Sequence, residues 1–131
     1  MFIDTSGFLC FLDQRDFRQP KAADYFISAR SRLTHNYVLV ELVALAGSRN
    51  FSREITLDFL SDLSNDSQTE IIWVSEYLTE RAISFLRKRK DKEWSLCDAV
   101  SFLLLKEYGI SEALTTDHHF EQAGYVQLLE S

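Results

Sequence analysis

Short apolar runs and longer stretches of helical periodicity alternate along the chain. Runs rich in β-branched and aromatic residues predict strands over 2–4, 32–35, 70–74, 113–116 and 126–129, with 70–74 as an interior strand. Between them, apolar residues recur every three or four positions. This periodicity predicts helices, capping residues included, over 7–12, 20–30, 36–46, 52–63, 75–86, 95–108 and 118–123. The alternation is typical of a parallel α/β sheet, which is the fold class we expect.

Polar residues mark where several of these helices begin. Four of them can accept a hydrogen bond from the first turn and are interpreted as N-caps: Asn36, Ser52, Ser75 and Ser95. Asp98 stands three residues after Ser95, which is the spacing of a capping box. Gly109 suits the C-terminus of that last long helix.

Composition favours one globular domain over residues 1–131. The chain has 131 residues, of which 46% are hydrophobic and 13% aromatic, enough for a core and too apolar for disorder. Cys10 and Cys97 lie far apart in apolar helical patterns and are expected to be buried thiols of a reducing compartment. Asp4 interrupts any signal peptide, and no apolar run is long enough to cross a bilayer. We therefore expect a soluble, cytoplasmic protein without a membrane partner.

Two aspartates stand where predicted strands end. Asp4 follows the first strand, and Asp117 follows Thr115 and Thr116 at the end of the fourth. The carboxyl ends of parallel strands meet at one edge of a sheet, where open α/β folds bind their ligands. Taken singly, each aspartate also fits a purely structural role, Asp4 as a helix cap and Asp117 as an Asx turn or N-cap.

Two further acids lie in apolar helices. Glu41 is flanked by Tyr37, Val38, Ala44 and Leu45 at helical spacing, where an unpaired charge is costly. An exposed stripe on a half-buried helix is an equally good interpretation of Glu41. Asp98 opens the 95–108 helix, where the capping box alone accounts for it.

Taken together, the four acids indicate more than four separate caps. Carboxylate oxygens are the ligands of hard cations such as Mg²⁺ and Mn²⁺, and such ions activate water for attack on a phosphodiester. Two other functions stay open: a non-catalytic α/β module that binds RNA or protein, and phosphoryl transfer through Asp4. The second usually needs another acid two residues later, where this chain has Ser6.

The ordered motifs resemble those of the PIN-domain family, in particular its small stand-alone ribonucleases of VapC type. They are Asp4-Thr5-Ser6, the lone Glu41, Ser95-Leu96-Cys97-Asp98-Ala99 and Thr115-Thr116-Asp117-His118-His119-Phe120. The resemblance implies a Rossmann-like sheet and endonucleolytic cleavage of RNA by a Mg²⁺ or Mn²⁺ site made by Asp4, Glu41, Asp98 and Asp117. Ser6 and Thr116 would support that site. It also implies a toxin of a type II toxin–antitoxin system with a cognate antitoxin and a homodimeric state, or alternatively a housekeeping nuclease.

The net charge of −6 argues against nucleic-acid binding unless basic residues cluster or a divalent cation is bound. The one dense basic stretch contains Arg87, Lys88, Arg89 and Lys90. It suits either an RNA-phosphate rim or a solvated helix end. Nearby Trp94 suits packing better than base stacking. For His118 and His119 we expect helix-start or surface roles, because adjacent side chains point in different directions.

Overall fold

A computed structural model of the protein describes residues 1–131 and contains five parallel strands and seven helices. The strands are β1 (Phe2–Ile3), β2 (Arg32–His35), β3 (Thr69–Ile72), β4 (Glu112–Leu114) and β5 (Val126–Gln127). The helices are α1 (Thr5–Leu12), α2 (Gln19–Ser28), α3 (Asn36–Ser48), α4 (Arg53–Ser64), α5 (Glu76–Arg87), α6 (Leu96–Tyr108) and α7 (His119–Gln122). The predicted parallel α/β class is confirmed.

The strand order is β3-β2-β1-β4-β5, so the chain moves outward from β1 in one direction and then returns to the other side. β1 is the central strand, pairing Phe2 with Leu33 of β2 and Ile3 with Leu114 of β4. The order of the strands therefore reverses between β1 and β4. In open α/β sheets, the crevice at the carboxyl ends of two such strands is the usual position of a ligand site.

Helix α1 packs unusually close to β4, and Gly7 makes this possible. A Cβ atom at Gly7 would overlap the backbone carbonyl oxygen of Leu114, and backbone cannot rotate away as a flexible side chain can. The glycine thus holds the start of α1 against the carboxyl end of β4. Asp4, which directly precedes α1, is placed by the same contact.

Most predicted helix ends are confirmed. The hydroxyl groups of Ser52, Ser75 and Ser95 each accept a first-turn backbone N–H, and Gly109 ends α6 in the left-handed region with φ 65°. The prediction for Asn36 is wrong. His35 precedes α3, and the Asn36 amide oxygen instead accepts the backbone N–H of Val74 at 2.6 Å.

The prediction of 70–74 as an interior strand is also wrong, because β3 lies at an edge of the sheet. Its backbone pairs only with β2, and its side chains are half-buried or exposed. Trp73, which the apolar run included in the strand, lies beyond it with 73% of its surface exposed. A β-rich run reports contact with helices on its faces but not whether a second strand lies beside it.

Both cysteines are free thiols, with Cys10 buried and Cys97 half-buried. None of the helices has the length and apolar character needed to span a bilayer.

Candidate active site

Asp4 lies at the switch point between β1 and β4 and is almost fully buried, with 5% of its surface exposed. The Thr115 hydroxyl donates to its Oδ2 at 3.0 Å, and the Ser6 hydroxyl at 3.3 Å. Burial raises the pKa of Asp4 to about 7, and the charges of Asp98 and Glu41 add to the rise, while hydrogen bonds from Thr5 and Thr115 oppose it. Asp4 is therefore a carboxyl group whose charge is costly in the isolated chain.

The hydroxyl network around Asp4 differs in one residue from the sequence prediction. Ser6 takes part in this network, since its Oγ accepts the backbone N–H of Thr116 at 2.9 Å. The second hydroxyl belongs to Thr115, which also accepts the Asp117 backbone N–H at 3.0 Å. Thr116 enters the network through its backbone only. The strand register explains this, because pairing of Ile3 with Leu114 puts the next residue of each strand side by side.

Asp98 combines its capping role with a place in the site. Its Oδ2 accepts the Ser95 backbone N–H at 3.1 Å, and its own N–H donates to the Ser95 hydroxyl at 3.0 Å, which completes the predicted capping box. Burial raises the pKa of Asp98, and the charge of Asp117 raises it further, against hydrogen bonds from Ser95 and His119. The cap fixes this carboxylate at the start of α6 but does not neutralise it.

Asp117 and His119 form the other side of the site. The Asp117 Oδ1 accepts the His119 backbone N–H at 2.9 Å, the Asx turn that the sequence allowed. The His119 ring then lies between two acids, with its Nδ1 3.2 Å from Asp98 Oδ2 and 3.4 Å from Asp117 Oδ1. His118 is a surface residue as expected, but His119 starts α7 and also reaches into the site. Nothing in the sequence indicated the direction of this ring beyond its position two residues after Asp117.

Glu41 approaches the site from α3. It is half-buried, and its negative charge raises the pKa of both Asp4 and Cys97. The four predicted acids are thus electrostatically connected: Asp4 with Glu41 and Asp98, and Asp98 with Asp117. We call Asp4, Glu41, Asp98 and Asp117 the acid site.

The acid site suits a hard divalent cation. The arginine ion pairs of the protein lie elsewhere, in Arg15–Asp13, Arg18–Asp16, Arg32–Asp66 and Arg89–Asp91. The acid site has only imidazoles within ion-pair distance: His119 at Asp98 and Asp117, and His118 at Asp117, 3.8 Å from its Oδ1. Clustered carboxylates of this kind are stabilised by a bound cation, and oxygen donors with few nitrogen donors favour Mg²⁺ or Mn²⁺. The residues present fit such an ion.

The basic stretch after α5 is only in part free for a ligand. Arg89 pairs with Asp91 at 3.1 Å and lies 4.8 Å from the ring centre of Trp94. Trp94 is buried and stacks on Phe85, so it packs as expected. Arg87, Lys88 and Lys90 are exposed, and no ion pair or hydrogen bond connects them with the acid site.

The chain is similar to known proteins over nearly its whole length. The family model of the PIN domain matches residues 1–125. The 23S rRNA-specific endonuclease VapC20 of Mycobacterium tuberculosis is 30% identical over 129 residues, which cover 98% of this chain and 97% of that protein. The crystal structure of Mycobacterium tuberculosis VapC20, a sarcin-ricin loop cleaving toxin, superposes with a TM-score of 0.86 at 28% identity and covers 96% of each chain.

Proposed function

The chain belongs to the PIN-domain family, and from this premise we propose that it is a divalent-metal-dependent endoribonuclease that serves as the toxin of a type II toxin–antitoxin system. The observation that carries the proposal is the acid site itself. Asp4 lies in the field of Glu41 and Asp98, and Asp98 lies in that of Asp117, and no lysine or arginine forms an ion pair with any of the four acids. Such an arrangement serves a bound cation better than it serves the stability of the fold.

In this proposal Asp4, Glu41, Asp98 and Asp117 hold the ion, directly or through water. Bound there, Mg²⁺ or Mn²⁺ supplies a Lewis acid that lowers the pKa of water and offsets charge on the leaving oxygen of the phosphodiester. Asp4, whose pKa burial raises to about 7, would hold the ion as its carboxylate. Ser6 and Thr115 hold the Asp4 carboxylate in one orientation, and His119 holds the carboxylates of Asp98 and Asp117 near each other.

The first test is cleavage of RNA by the purified protein. We expect cleavage with Mg²⁺ or Mn²⁺, none with EDTA, and a loss of more than about 10³-fold in Asp4→Asn and Asp98→Asn, which corresponds to several kcal/mol of transition-state stabilisation. Asp62→Asn is the matched control, because Asp62 is exposed on α4. Cleavage that survives chelation, or that both site variants retain, would overturn the proposal.

Ion binding distinguishes a nuclease from a non-catalytic module of the same fold. We expect Mn²⁺ to raise the melting temperature of the wild type and to have little effect on Asp4→Asn, measured by calorimetry at fixed ion concentration. An equal response of both proteins would mean that the acids are structural.

The substrate to test first is large-subunit ribosomal RNA. Support comes from VapC20, which is 23S rRNA-specific and covers nearly all of this chain in the comparison. Intact ribosomes incubated with the protein would show a single cut by primer extension if the proposal holds. Scattered cuts in unrelated RNA would favour a less selective nuclease with a housekeeping role.

We also propose a cytoplasmic location, a homodimeric state and a protein antitoxin. The free thiols of Cys10 and Cys97 suit a reducing compartment. The likeness to a toxin of the same family supports an antitoxin as the protein partner. Expression alone should arrest growth, and co-expression with the product of an adjacent gene should relieve the arrest. Sedimentation of the purified protein as a monomer would contradict the dimer.

A further inference from the structure

Two histidines follow Asp117 at the start of α7, and their rings lie close together. The ring centres of His118 and His119 are 4.6 Å apart. The Nδ1 atom of His119 is 3.4 Å from Asp117 Oδ1, and that of His118 is 3.8 Å from the same oxygen. A donor atom from each of the three residues lies within 4.8 Å of those of the other two. Three groups that can ligate a metal ion thus meet at one place.

The backbone brings these side chains together although they are adjacent in sequence. His118 has a helical conformation, with φ −62° and ψ −15°. Neighbouring side chains in a helical turn diverge by about 100°, whereas in a strand they point to opposite faces. The Asp117 carboxylate turns toward the same turn, because its Oδ1 accepts the His119 backbone N–H at 2.9 Å. The fully buried Phe120 holds α7 in the core, so this arrangement is fixed.

The distances between the donor atoms are near those that one metal ion requires. Zinc binds nitrogen and oxygen ligands at about 2.0–2.2 Å, so two ligands of one zinc ion lie about 2.9–3.4 Å apart. The spacing of His119 Nδ1 and Asp117 Oδ1 already has this value. The His118 ring must approach by on the order of 1 Å. Its side chain is 65% exposed, so it can turn without displacing packed atoms.

The charges around His119 favour a cation at this position. Its Nδ1 lies between two carboxylate oxygens, 3.2 Å from Asp98 Oδ2 and 3.4 Å from Asp117 Oδ1. Neither aspartate forms an ion pair with a lysine or arginine. A proton on Nδ1 satisfies these oxygens when no metal is bound, and a metal ion takes the place of that proton. The exposed His118 makes the position accessible from solvent.

Two imidazoles and one carboxylate select a different ion from the one that the acid site suits. Imidazole nitrogen favours Zn²⁺ and the neighbouring transition metals, whereas Mg²⁺ prefers oxygen. Zinc sites made by two histidines and one carboxylate keep a fourth position for water. Asp117 belongs to both sets of ligands. An ion held by the two histidines therefore draws the Asp117 carboxylate away from the acid site.

We propose that Asp117, His118 and His119 bind a transition-metal ion of the Zn²⁺ class, and that this ion inhibits the acid site by taking Asp117 from it. We call these three residues the histidine site. The binding of the ion goes beyond the proposed ribonuclease function, whereas its inhibitory effect rests on that function. Asp4 and Glu41 have no part in the histidine site, so the two kinds of ion compete through Asp117.

Calorimetric titration of the full-length protein with Zn²⁺ measures the histidine site directly. His118→Ala removes an exposed ligand, so the fold should be kept while the affinity for Zn²⁺ falls at least about 10-fold. Glu121→Gln is the matched control, because it removes an exposed charged group from the same helix and should bind Zn²⁺ like the wild type. Wild-type affinity for Zn²⁺ in His118→Ala overturns the proposal.

Magnetic resonance of the imidazole nitrogens identifies the ligands. The chain has three histidines, and His35 is fully buried away from the surface. Addition of Zn²⁺ should shift the ring signals of His118 and His119 and leave that of His35 in place. Ring signals of His118 and His119 that stay unchanged while Zn²⁺ binds overturn the proposal.

Asp4→Asn separates the histidine site from the acid site. We expect this variant to lose its response to Mn²⁺ and to keep wild-type affinity for Zn²⁺, and His118→Ala to do the reverse. Loss of Zn²⁺ binding in Asp4→Asn with retention in His118→Ala would place Zn²⁺ in the acid site and overturn the proposal.

Cleavage of RNA tests the inhibition. Without Zn²⁺, His118→Ala should cleave like the wild type in Mn²⁺. Zn²⁺ should then inhibit the wild type at a concentration at least about 10-fold lower than it inhibits His118→Ala. Equal inhibition of both overturns the inhibitory role. A wild type that cleaves no RNA refutes the proposed function alone, because the Zn²⁺ titration and the ring signals still decide whether the histidine site exists.

Discussion

Buried charged groups have opposite surroundings at the amino and carboxyl ends of the parallel strands. At the beginning of β2, the buried Arg32 guanidinium donates to Asp66 Oδ2 at 2.7 Å, to the Phe26 carbonyl at 2.6 Å and to the Thr69 hydroxyl at 3.1 Å. At the carboxyl ends of β1 and β4, the acids of the acid site lie in one another's field without such a cation. The charge of Arg32 is thus paired within the chain, whereas the charges of the acid site are not.

The carboxyl pKa values express this difference. Hydrogen bonds from Thr69 and Arg32 lower the pKa of Asp66 to about 2, whereas burial raises the pKa of Asp4 to about 7. A paired carboxylate stabilises the fold, and an unpaired buried one destabilises it unless something binds. The difference teaches that buried acids mark a functional site only when the chain leaves them uncompensated.

The largest expected effect comes from removing one charged group at each end of the strands, Asp4 at the carboxyl end and Arg32 at the amino end. Asp4→Asn should lose more than about 10³-fold in RNA cleavage. The free energy of unfolding of its metal-free form should stay the same or rise, because a repelled buried charge is gone. Arg32→Met should do the reverse, keeping the site but lowering the free energy of unfolding by about 3 kcal/mol, since it leaves buried polar partners unpaired. Cleavage is assayed with Mg²⁺ or Mn²⁺ present, and the free energy of unfolding is measured with urea in EDTA. Parallel effects in the two variants would refute the contrast.

Gly7→Ala should disturb the acid site by displacing the backbone beside it. The added methyl group would meet the Leu114 carbonyl, so we expect a loss of about 3 kcal/mol in unfolding free energy together with reduced cleavage. Gly47→Ala is the control, because a Cβ there meets no atom within 4 Å and α3 should gain up to about 1 kcal/mol. Equal stability of the two variants in urea would mean that α1 does not approach β4 as closely as described.

The buried imidazole of His35 lies at the carboxyl end of β2, and it should make the stability of the protein depend on pH. Burial lowers the pKa of His35 to about 3, and its Nε2 bonds to the Ser101 hydroxyl at 2.9 Å. Because the folded-state pKa lies below the unfolded value of about 6.5, the contribution of His35 is complete above pH 6.5 and is lost as pH falls toward 3. Between pH 6.5 and 4.5 we expect a loss of about 2–3 kcal/mol, at roughly 1.4 kcal/mol per pH unit.

The measurement is urea unfolding in EDTA at several pH values for the wild type and His35→Gln. Other groups titrate in both proteins, so the difference between them isolates His35. A pH profile that is the same in both would show that His35 accepts a proton in the folded state.

The sequence predicted what depends on chain-local patterns. Asp4 after a strand and Asp98 in a capping box were predicted by residue type and spacing. In the structure, the charge of Glu41 acts on Asp4 and that of Asp117 acts on Asp98. The direction of the His119 ring was not predictable. It depends on how α7 packs against α6, and a residue two positions after Asp117 can face the acids or solvent.

Strand neighbours and register were equally hidden. The apolar run before Trp73 did not reveal that β3 is an edge strand, since its one-sided pairing depends on the order of all five strands. In the same way, two adjacent threonines at the end of β4 are equivalent in composition. Only the pairing of Ile3 with Leu114 shows which one lies beside Asp4.

The smallest predicted effect tests this choice between the threonines. Thr115→Val keeps the shape of a buried side chain but removes the donor to Asp4 Oδ2 and the acceptor of the Asp117 N–H, so we expect cleavage and Mn²⁺ affinity to fall about 10-fold. Thr116→Val is the control and should change neither, because Thr116 contributes only backbone groups to the network. Cleavage kinetics and calorimetric Mn²⁺ titration of both variants decide the matter. A larger loss in Thr116→Val would restore the sequence prediction and would mean that the hydroxyl network around Asp4 is arranged differently in the working site.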